Sequence, residues 1–579
     1  MQGVLVVIKK IFSSTFLIFA FIIFNSTAGA NPMDVDTTAW NAGIVEGIPE
    51  SRDLVNVSDY GAKGDGTTDD YDAFIRAIGA VADGGTIFMP AGNYLLRAKI
   101  SLQKPVAFRG EGPGETNLLI NHNGHAFEVI KYKRGDWINI VGGYNKGSSE
   151  LIVENPEPFK PGDYIEIQQE NHPETMYTLP EWNQGWAMDA VGQIARVAAI
   201  SQNKLVLDQP LRITYSADLN PVIRTQGFAE YIGFEDFSIE RLDTSDTNMF
   251  YFKNAANCWV RNIHSKKAAK AHISTTTAYR IEIRDSFFDD ATNWGGGGHG
   301  YGVELGFHTS DCLIENNIFK HLRHSMMVHL GANGNVFGYN YSIEPYQSEG
   351  GNWIPADISV HGHYAYSNLF EGNIAQKVTI SDYWGPSGPN NTFLRNKIES
   401  NNLSIEDSSN FQNIVGNEFE KGDILWDTDG RYPHKIDIST MLMHGNYING
   451  SIQWDTNIPG YAIPATCYIE GKPDFYGHLG WPSTGADKLG GTNPARERYY
   501  GNPISPITPP EYGDLNDDGE IDSMDLTLLK RHILKKINDF PSDNGHANAD
   551  LNGDGEIDSM DLALLKRYIL KKIDKFPHE

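Results

Sequence analysis

From residue 232 onward, short apolar runs recur, each broken by one small polar residue: FEDFS, VRNIH, IRDSF, ENNIF, GYNYS, EGNIA, LRNKI, VGNEF and HGNYI. The interrupting residues are Asp236, Asn262, Asp285, Asn317, Asn340, Asn373, Asn396, Asn417 and Asn446, at intervals of 26, 23, 32, 23, 33, 23, 21 and 29. Alternation within each run sends Ile, Val and Phe to one face, as in a half-buried strand. A polar residue returning once per coil fits parallel strands whose stacked Asn side chains satisfy one another at a turn, and so predicts a solenoid. A propeller would need blades of about 40 residues. Residues 54 to 95 predict a strand, a Gly-rich turn, a helix and another strand. Thr67 or Thr68 is placed to cap that helix, with Asp69 and Asp70 in its first turn. Phe74, Ile75, Ala77, Ile78 and Val81 make its apolar stripe. Residues 150 to 215, with KPGDYIEI, GQIARVAAI and NKLVLDQPL, read as strands of a small inserted β-subdomain.

One apolar stretch has a different purpose. Lys9 and Lys10 precede IFSSTFLIFAFIIF, and Ala28 to Ala30 offer an A-x-A cleavage site. This predicts a signal peptide over 1–30, a secreted protein and a mature chain starting near Asn31. The net charge of -27, without a long basic run, excludes nucleic acid and anionic membranes as expected partners. Cys258, Cys312 and Cys467 are too few and scattered for a disulfide framework, and read as buried small hydrophobes.

Texture changes near residue 502, where NPISPITPPEYG reads as a Pro-rich linker over 502–511. Beyond it DLNDDGEIDSMDLTLLKRHILKKI, from Asp514, returns as DLNGDGEIDSMDLALLKRYILKKI from Asp550, 36 residues later. Each copy carries oxygen ligands at the spacing of a calcium loop, with glycine at the sixth position for the sharp turn. The first set is Asp514, Asn516, Asp518, Glu520 (through its backbone), Asp522 and Asp525. The second is Asp550, Asn552, Asp554, Glu556 (backbone), Asp558 and Asp561. Residues 512–579 closely resemble a type I dockerin, the small α-helical module that binds two calcium ions and plugs cellulosomal enzymes into the cohesins of a scaffoldin. The resemblance implies cohesin contacts at Ser523, Met524, Lys530 and Arg531, and at Ser559, Met560, Lys566 and Arg567. Near-identity of the copies implies a pseudo-twofold surface usable in two orientations.

The segment VNVSDYGAKGDGTTDDYDAFIRAIGAVADGGTIFMPAGNYLL resembles the N-terminal cap of the pectate-lyase superfamily, as in rhamnogalacturonase-like and polygalacturonase-like proteins. That resemblance implies an all-β, right-handed parallel β-helix over 31–501, its open end plugged by the cap helix. It also implies an extracellular, cellulosome-bound enzyme acting on plant cell-wall polysaccharide such as pectin or hemicellulose.

Two coils, 285 to 317 and 340 to 373, are about ten residues longer than the 23-residue ones, and enlarged loops on a rigid scaffold are where function concentrates. Counting from the ladder puts Lys266 and Lys267, then Asp289 and Asp290, then His321 with Arg323 and His324, then Glu344, then Lys377, on one lateral strip. His299 and His361 lie in the same stretch, as do Trp294 and Trp353, with Trp384 beyond it; indoles are natural platforms for sugar rings. The expected catalytic set is Asp289, Asp290, His299, Arg323, His324 and Glu344, with Asp357 as an alternative partner. Lys266, Lys267, Trp294, His321, His361, Trp353 and Trp384 are expected to bind substrate. Glu344 would lie two rungs from the aspartates, about 9.6 Å, at the upper edge of an inverting glycosidase's carboxylate spacing. A glycoside hydrolase is therefore the first expectation. A polysaccharide lyase using Lys, Arg or His as base is the second, and a non-catalytic carbohydrate-binding solenoid the third.

Overall fold

The computed structural model describes residues 40–381, 384–502, 512–516, 521–538, 540–541, 545–573 and 575–577. The expected signal peptide, most of the linker, Asp518 and Glu520 lie outside the described residues.

Residues 54 to 448 wind into a parallel β-helix with three ladders of strands. Sheet I runs from Leu54–Asn56 to Leu442–His444 and sheet II from Asp65–Asp69 to Asn446–Ile448. Sheet III has ten strands, from Ile100–Leu102 to Ile424–Trp426. Two long strands, Ile232–Arg241 and Trp259–Ala268, cross the corner between sheets I and II and keep one register on both sides of it, skipping only Asp236 and Asn262. Inside, a continuous apolar core carries aromatic stacks such as Phe337–Phe370–Phe393, with centroids 5.0 and 4.9 Å apart. Successive coils repeat the same inward position, so like packs on like.

The Asn ladder is real but shorter than the sequence implies. Asn317, Asn340, Asn373, Asn396, Asn417 and Asn446 stack at the I–II corner, each Nδ2 donating to the next Oδ1 at 2.9–3.0 Å. Each Oδ1 also accepts a backbone N–H from the preceding coil. Asp236, Asn262 and Asp285 stand outside it: they align with Asn316, one residue earlier, where φ is positive at 50–61°. There they pair outside the core, Asn262 on Asp236 and Asn316 on Asp285. Ser286 takes the ladder position in that coil. A second ladder (Asn335, Asn368, Asn391 and Gln412) holds the corner between sheets III and I. An unpaired buried amide costs about 1–3 kcal/mol, so neither ladder tolerates a gap.

The cap helix, Tyr71–Ala80, buries Ala73, Phe74 and Ala77 over the open end. Its N-cap is Asp70 rather than a threonine, and Asp65–Asp69 is a strand where a turn was expected. Thr67 and Thr68 instead donate to the Asp65 carboxylate. Ile75 is exposed. The inserted antiparallel sheet has seven strands and takes in Lys133–Arg134 and Val222–Gly227, outside the 150–215 expected. It is anchored by Arg212 paired to Asp311, and by Glu166, which binds both Arg224 and His308. The segment 454–499 straps across sheet I, with Cys467 on the Leu369–Leu394–Val415 ridge. Beneath it Glu371 accepts the Tyr339 hydroxyl and the Cys467 N–H, while Glu315 accepts the Tyr468 hydroxyl. All three cysteines are free and buried.

The C-terminal module pairs helices Ser523–Ile533 and Ser559–Ile569 over a core of Leu515, Leu529, Leu551, Leu565 and Phe576.

Candidate active site

A groove of about 920 Å³ lies along the outer face of sheet III. It follows the strands from Tyr301–Gly306 to Ile424–Trp426, five intervals of about 4.8 Å or about 24 Å. Strand alternation builds its floor in rows. One row is Glu304, Met327, Ser359, Thr379 and Ser404, in direct register. The next row begins at Gly306, which ends its strand, and continues with the residue following each later strand: His329, His361, Ser381 and Glu406. A Cβ on Gly306 would stand 2.6 Å from the His329 ring, so glycine lets that imidazole lie flat on the floor. Tyr301 and His324 pair at the upstream edge.

The enlarged loops form one wall. The 292–300 loop contributes Gly296 to Gly298, and the loop after Ile343 contributes Glu349, Trp353 and Ile354. Trp186 of the inserted subdomain and Trp384 close the other side, their rings 5.3 Å apart and nearly perpendicular. The far end carries Asp429, Arg431 and Tyr432.

Charge in the groove is unevenly distributed. Glu304 Oε1 stands 3.3 Å from His329 Nε2. Burial pushes the Glu304 carboxyl up, but hydrogen bonds from His329 and Ser274 outweigh it and hold the group ionised. Arg323 reaches Glu349 at 3.3 Å and the Tyr301 hydroxyl at 3.3 Å, and lies 5.5 Å from the Trp353 ring. Glu406 accepts from Thr428 and from the Asp429 N–H, and Asp429 is paired with Arg431. Lys377 Nζ donates to the Ile354 carbonyl at 2.9 Å. His324 Nδ1 donates to the Ala356 carbonyl at 2.8 Å, which leaves Nε2 as its acceptor nitrogen.

Of the residues expected from sequence, the structure brings Arg323, His324, His361, Trp353 and Trp384 to this groove. The others lie elsewhere. Asp289 is on sheet II, in register with Lys266 and Lys320, with Oδ2 3.7 Å from His264 Nε2. Asp290 bends backward at φ 63°, bonds its own Ala291 N–H and gives its carbonyl to buried His272. With Lys267, His321 and Glu344 it occupies the II–III corner, outside the groove lining. Lys267 binds Glu240 at 2.7 Å. Trp294 packs on the core, donates to the His321 carbonyl and meets Tyr346, so its ring is a wedge under the loop. His321 stacks on the same Tyr346. His299 is held by the Gly296 carbonyl and Asp246 on the outer side of its loop. Asp357 is inside the coil, 1% exposed, binding Ser342 and the N–H groups of Gln376 and Lys377. Burial pushes its carboxyl up to about 6.

Sequence reasoning missed Glu304, His329, Tyr301 and Trp186. The first two were findable: YGVELG and HSMMVH alternate so that Glu304 and His329 must face away from Val303, Leu305 and Val328.

In the C-terminal module, Asp550 accepts the Gly553 and Gly555 N–H groups, and Asp554 accepts Glu556 N–H, curling an all-oxygen loop around Gly555 at φ 83°. Asp561 ties Leu551 to Asp558 through its two oxygens, and Asp525 ties Leu515 to Asp522 in the same way. Among the described residues no three His, Cys, Asp or Glu side chains yet stand at metal-holding distance. The donor chemistry, hard oxygens at loop spacing, suits calcium. The pairs Ser523–Met524 and Ser559–Met560, with Lys530, Arg531, Lys566 and Arg567, are all exposed.

Comparisons with known proteins agree with these two parts. Residues 512–570 match the dockerin type I domain, and residues 54–150 match the family described as rhamnogalacturonase A/epimerase, pectate lyase-like. Endoglucanase D of Acetivibrio thermocellus is 55% identical over 38 residues, 7% of this chain and 6% of that protein. A xyloglucanase of the same organism is 41% identical over 93 residues, 15% of this chain and 10% of the relative. Alginate lyase 7 of Azotobacter vinelandii is 43% identical over 74 residues, 11% and 9%. The chain thus spans a tenth or less of each of these relatives. Among solved structures, a tailspike of Pseudomonas phage phi297 aligns with a TM-score of 0.47 and 14% identity over 67% of both chains. The A-module of an Azotobacter vinelandii mannuronan C-5 epimerase aligns at 0.32 and 12%, over 67% of this chain and 98% of that one. The chain thus holds a parallel β-helix whose first part, residues 54–150, is pectate-lyase-like, and a type I dockerin domain at residues 512–570.

Proposed function

We propose that this is an extracellular enzyme that cleaves a uronate-containing plant cell-wall polysaccharide by β-elimination in the sheet III groove, while its dockerin, folded around two calcium ions, binds a scaffoldin cohesin. The observation that carries the reading is the make-up of the groove: Arg323, His324, His329, His361 and Lys377 line it, while each carboxylate there is engaged by an arginine, by the His329 ring or by amide donors. A hydrolase needs two carboxylates across the bond, about 5–9.5 Å apart and available to it. The Asp289–Asp290 pair that prompted that expectation faces another side of the coil.

Elimination asks for a base and a cation. His329, oriented by Glu304, takes the proton alpha to the uronate carboxylate. Arg323 and Lys377 stabilise the charge that builds on that carboxylate. The electron pair of the broken C–H bond forms the new double bond, the bond to the beta oxygen breaks, and that oxygen takes the proton back from the imidazolium. Trp353 and Trp384 offer ring faces to the sugars on either side.

Incubation of the full chain with polygalacturonate, alginate and xyloglucan tests this. A rise in ultraviolet absorbance from the unsaturated product, on a uronate polymer only, is expected. Reducing ends appearing without that absorbance would overturn elimination in favour of hydrolysis.

A further inference from the structure

The floor of the groove continues upstream of Tyr301. In one row Glu304 is in register with Ser274 and then Tyr251; in the other Gly306 follows Thr276 and then Lys253. Only small side chains therefore lie between the groove and the strand Phe250–Lys253. At that strand the surface becomes aromatic and basic. Tyr132 is 73% exposed, with Lys253 Nζ 5.8 Å from its ring. The stretch KYKR, Lys131 to Arg134, enters the inserted sheet here, and Arg134 is fixed by Asn254. Arg224 lies 4.0 Å over Trp137, in register near the same edge. Of the carboxylates here, Glu166 is held by Arg224 and His308 and Glu128 by Lys99, while Asp136 is exposed.

A cluster of this sign is out of character for a chain of net charge -27. A polyanion approaching such a protein is repelled in general and attracted only where cations gather. We infer that Tyr251, Lys253, Tyr132 and Arg134 form a distal subsite for an anionic polysaccharide, holding chain units upstream of those in the groove. This rests on the reading of the groove as a uronate-polymer site. Lys253 is three rungs from His329, about 14 Å along the axis. The cations meet sugar carboxylates, and the exposed Tyr132 ring meets an apolar sugar face.

Affinity electrophoresis of the full chain through native gels containing polygalacturonate or neutral hydroxyethylcellulose tests the assignment. The double variant Tyr132→Ala/Lys253→Ala should be retarded by polygalacturonate roughly fivefold to tenfold more weakly than wild type, the scale of one lost cation contact and one aromatic face. Its melting temperature and its mobility in the neutral gel should match wild type. Wild-type retardation of that variant, alongside loss in Lys377→Ala, would overturn the subsite and leave the groove reading standing. Equal weakening in both gels would overturn the anionic ligand. A wild-type protein that polygalacturonate does not retard would overturn both.

Discussion

Replacing Glu371 with Gln is expected to make the protein more stable at pH 8 and slightly less stable at pH 4. Glu371 is fully buried beneath the strap, with the Tyr339 hydroxyl on one oxygen and the Cys467 N–H on the other. Burial pushes its carboxyl up to about 7 from an ordinary 4.5, its hydrogen bonds only partly opposing. Because the folded value is the higher one, the folded state keeps a proton that the unfolded chain has released. Stability from this group is full below about pH 4.5 and is lost as pH rises through about 7. A displacement of about 2.5 units corresponds to about 3 kcal/mol. Glutamine keeps the shape without the charge and gives up about 1 kcal/mol of hydrogen bonding. The balance is a gain of about 2 kcal/mol at pH 8 and a loss of about 1 kcal/mol at pH 4. Urea denaturation followed by tryptophan fluorescence at pH 4, 6 and 8 reads the difference. Glu315, pushed up to about 7 by burial, adds its own slope, so the double Gln variant should flatten the pH profile further than Glu371→Gln alone. A variant that differs from wild type by the same amount at all three pH values would refute the reasoning.

His329→Ala should lower turnover at least ~100-fold, the scale of a general base, with melting temperature within a degree or two. Asp289→Asn and Asp290→Asn should keep turnover within about twofold, and a large loss in either would return the site to sheet II; the same elimination assay measures all three. Chelation should abolish cohesin binding, read by native gel shift, because the carboxylates of each loop repel one another without calcium. The β-helix should keep its melting transition in the same chelator.

The periodic part of this molecule was legible because a solenoid writes its fold repeatedly. Asn317 to Asn446 recur in buried positions that nothing else satisfies, and the calcium-loop spacing is too specific to arise by composition. The ladder was misframed by one residue over Asp236, Asn262 and Asp285, because the left-handed corner position favours the same Asn and Asp side chains as the ladder itself. That slip was small, but the site was placed by looking at polar clusters instead of alternation. Asp290 and His321 were conspicuous as letters, yet each sits at a left-handed corner bend for backbone reasons, and Asp289 lies in a strand of sheet II. Glu304 stands alone between Val303 and Leu305, and its importance comes from a His329 that no local pattern joins to it. Asp357 shows the converse: a carboxylate in an enlarged loop's coil can point inward, where Ser342 and two amides hold it. The walls contributed by Trp186 and the inserted sheet came from a segment over 100 residues away in sequence from the floor they cover.

Because each row of the groove floor supplies one residue per rung, the groove is graduated in fixed steps. Met327, Ser359, Thr379 and Ser404 sit at successive marks about 4.8 Å apart, held by backbone pairing and not by loop conformation. A side chain changed at one mark meets one place along a bound chain and leaves the neighbouring marks where they were. Adding or deleting a whole coil would shift the downstream marks together by one step. On the proposed function, the place at which a bound polymer is cut is set by counting rungs.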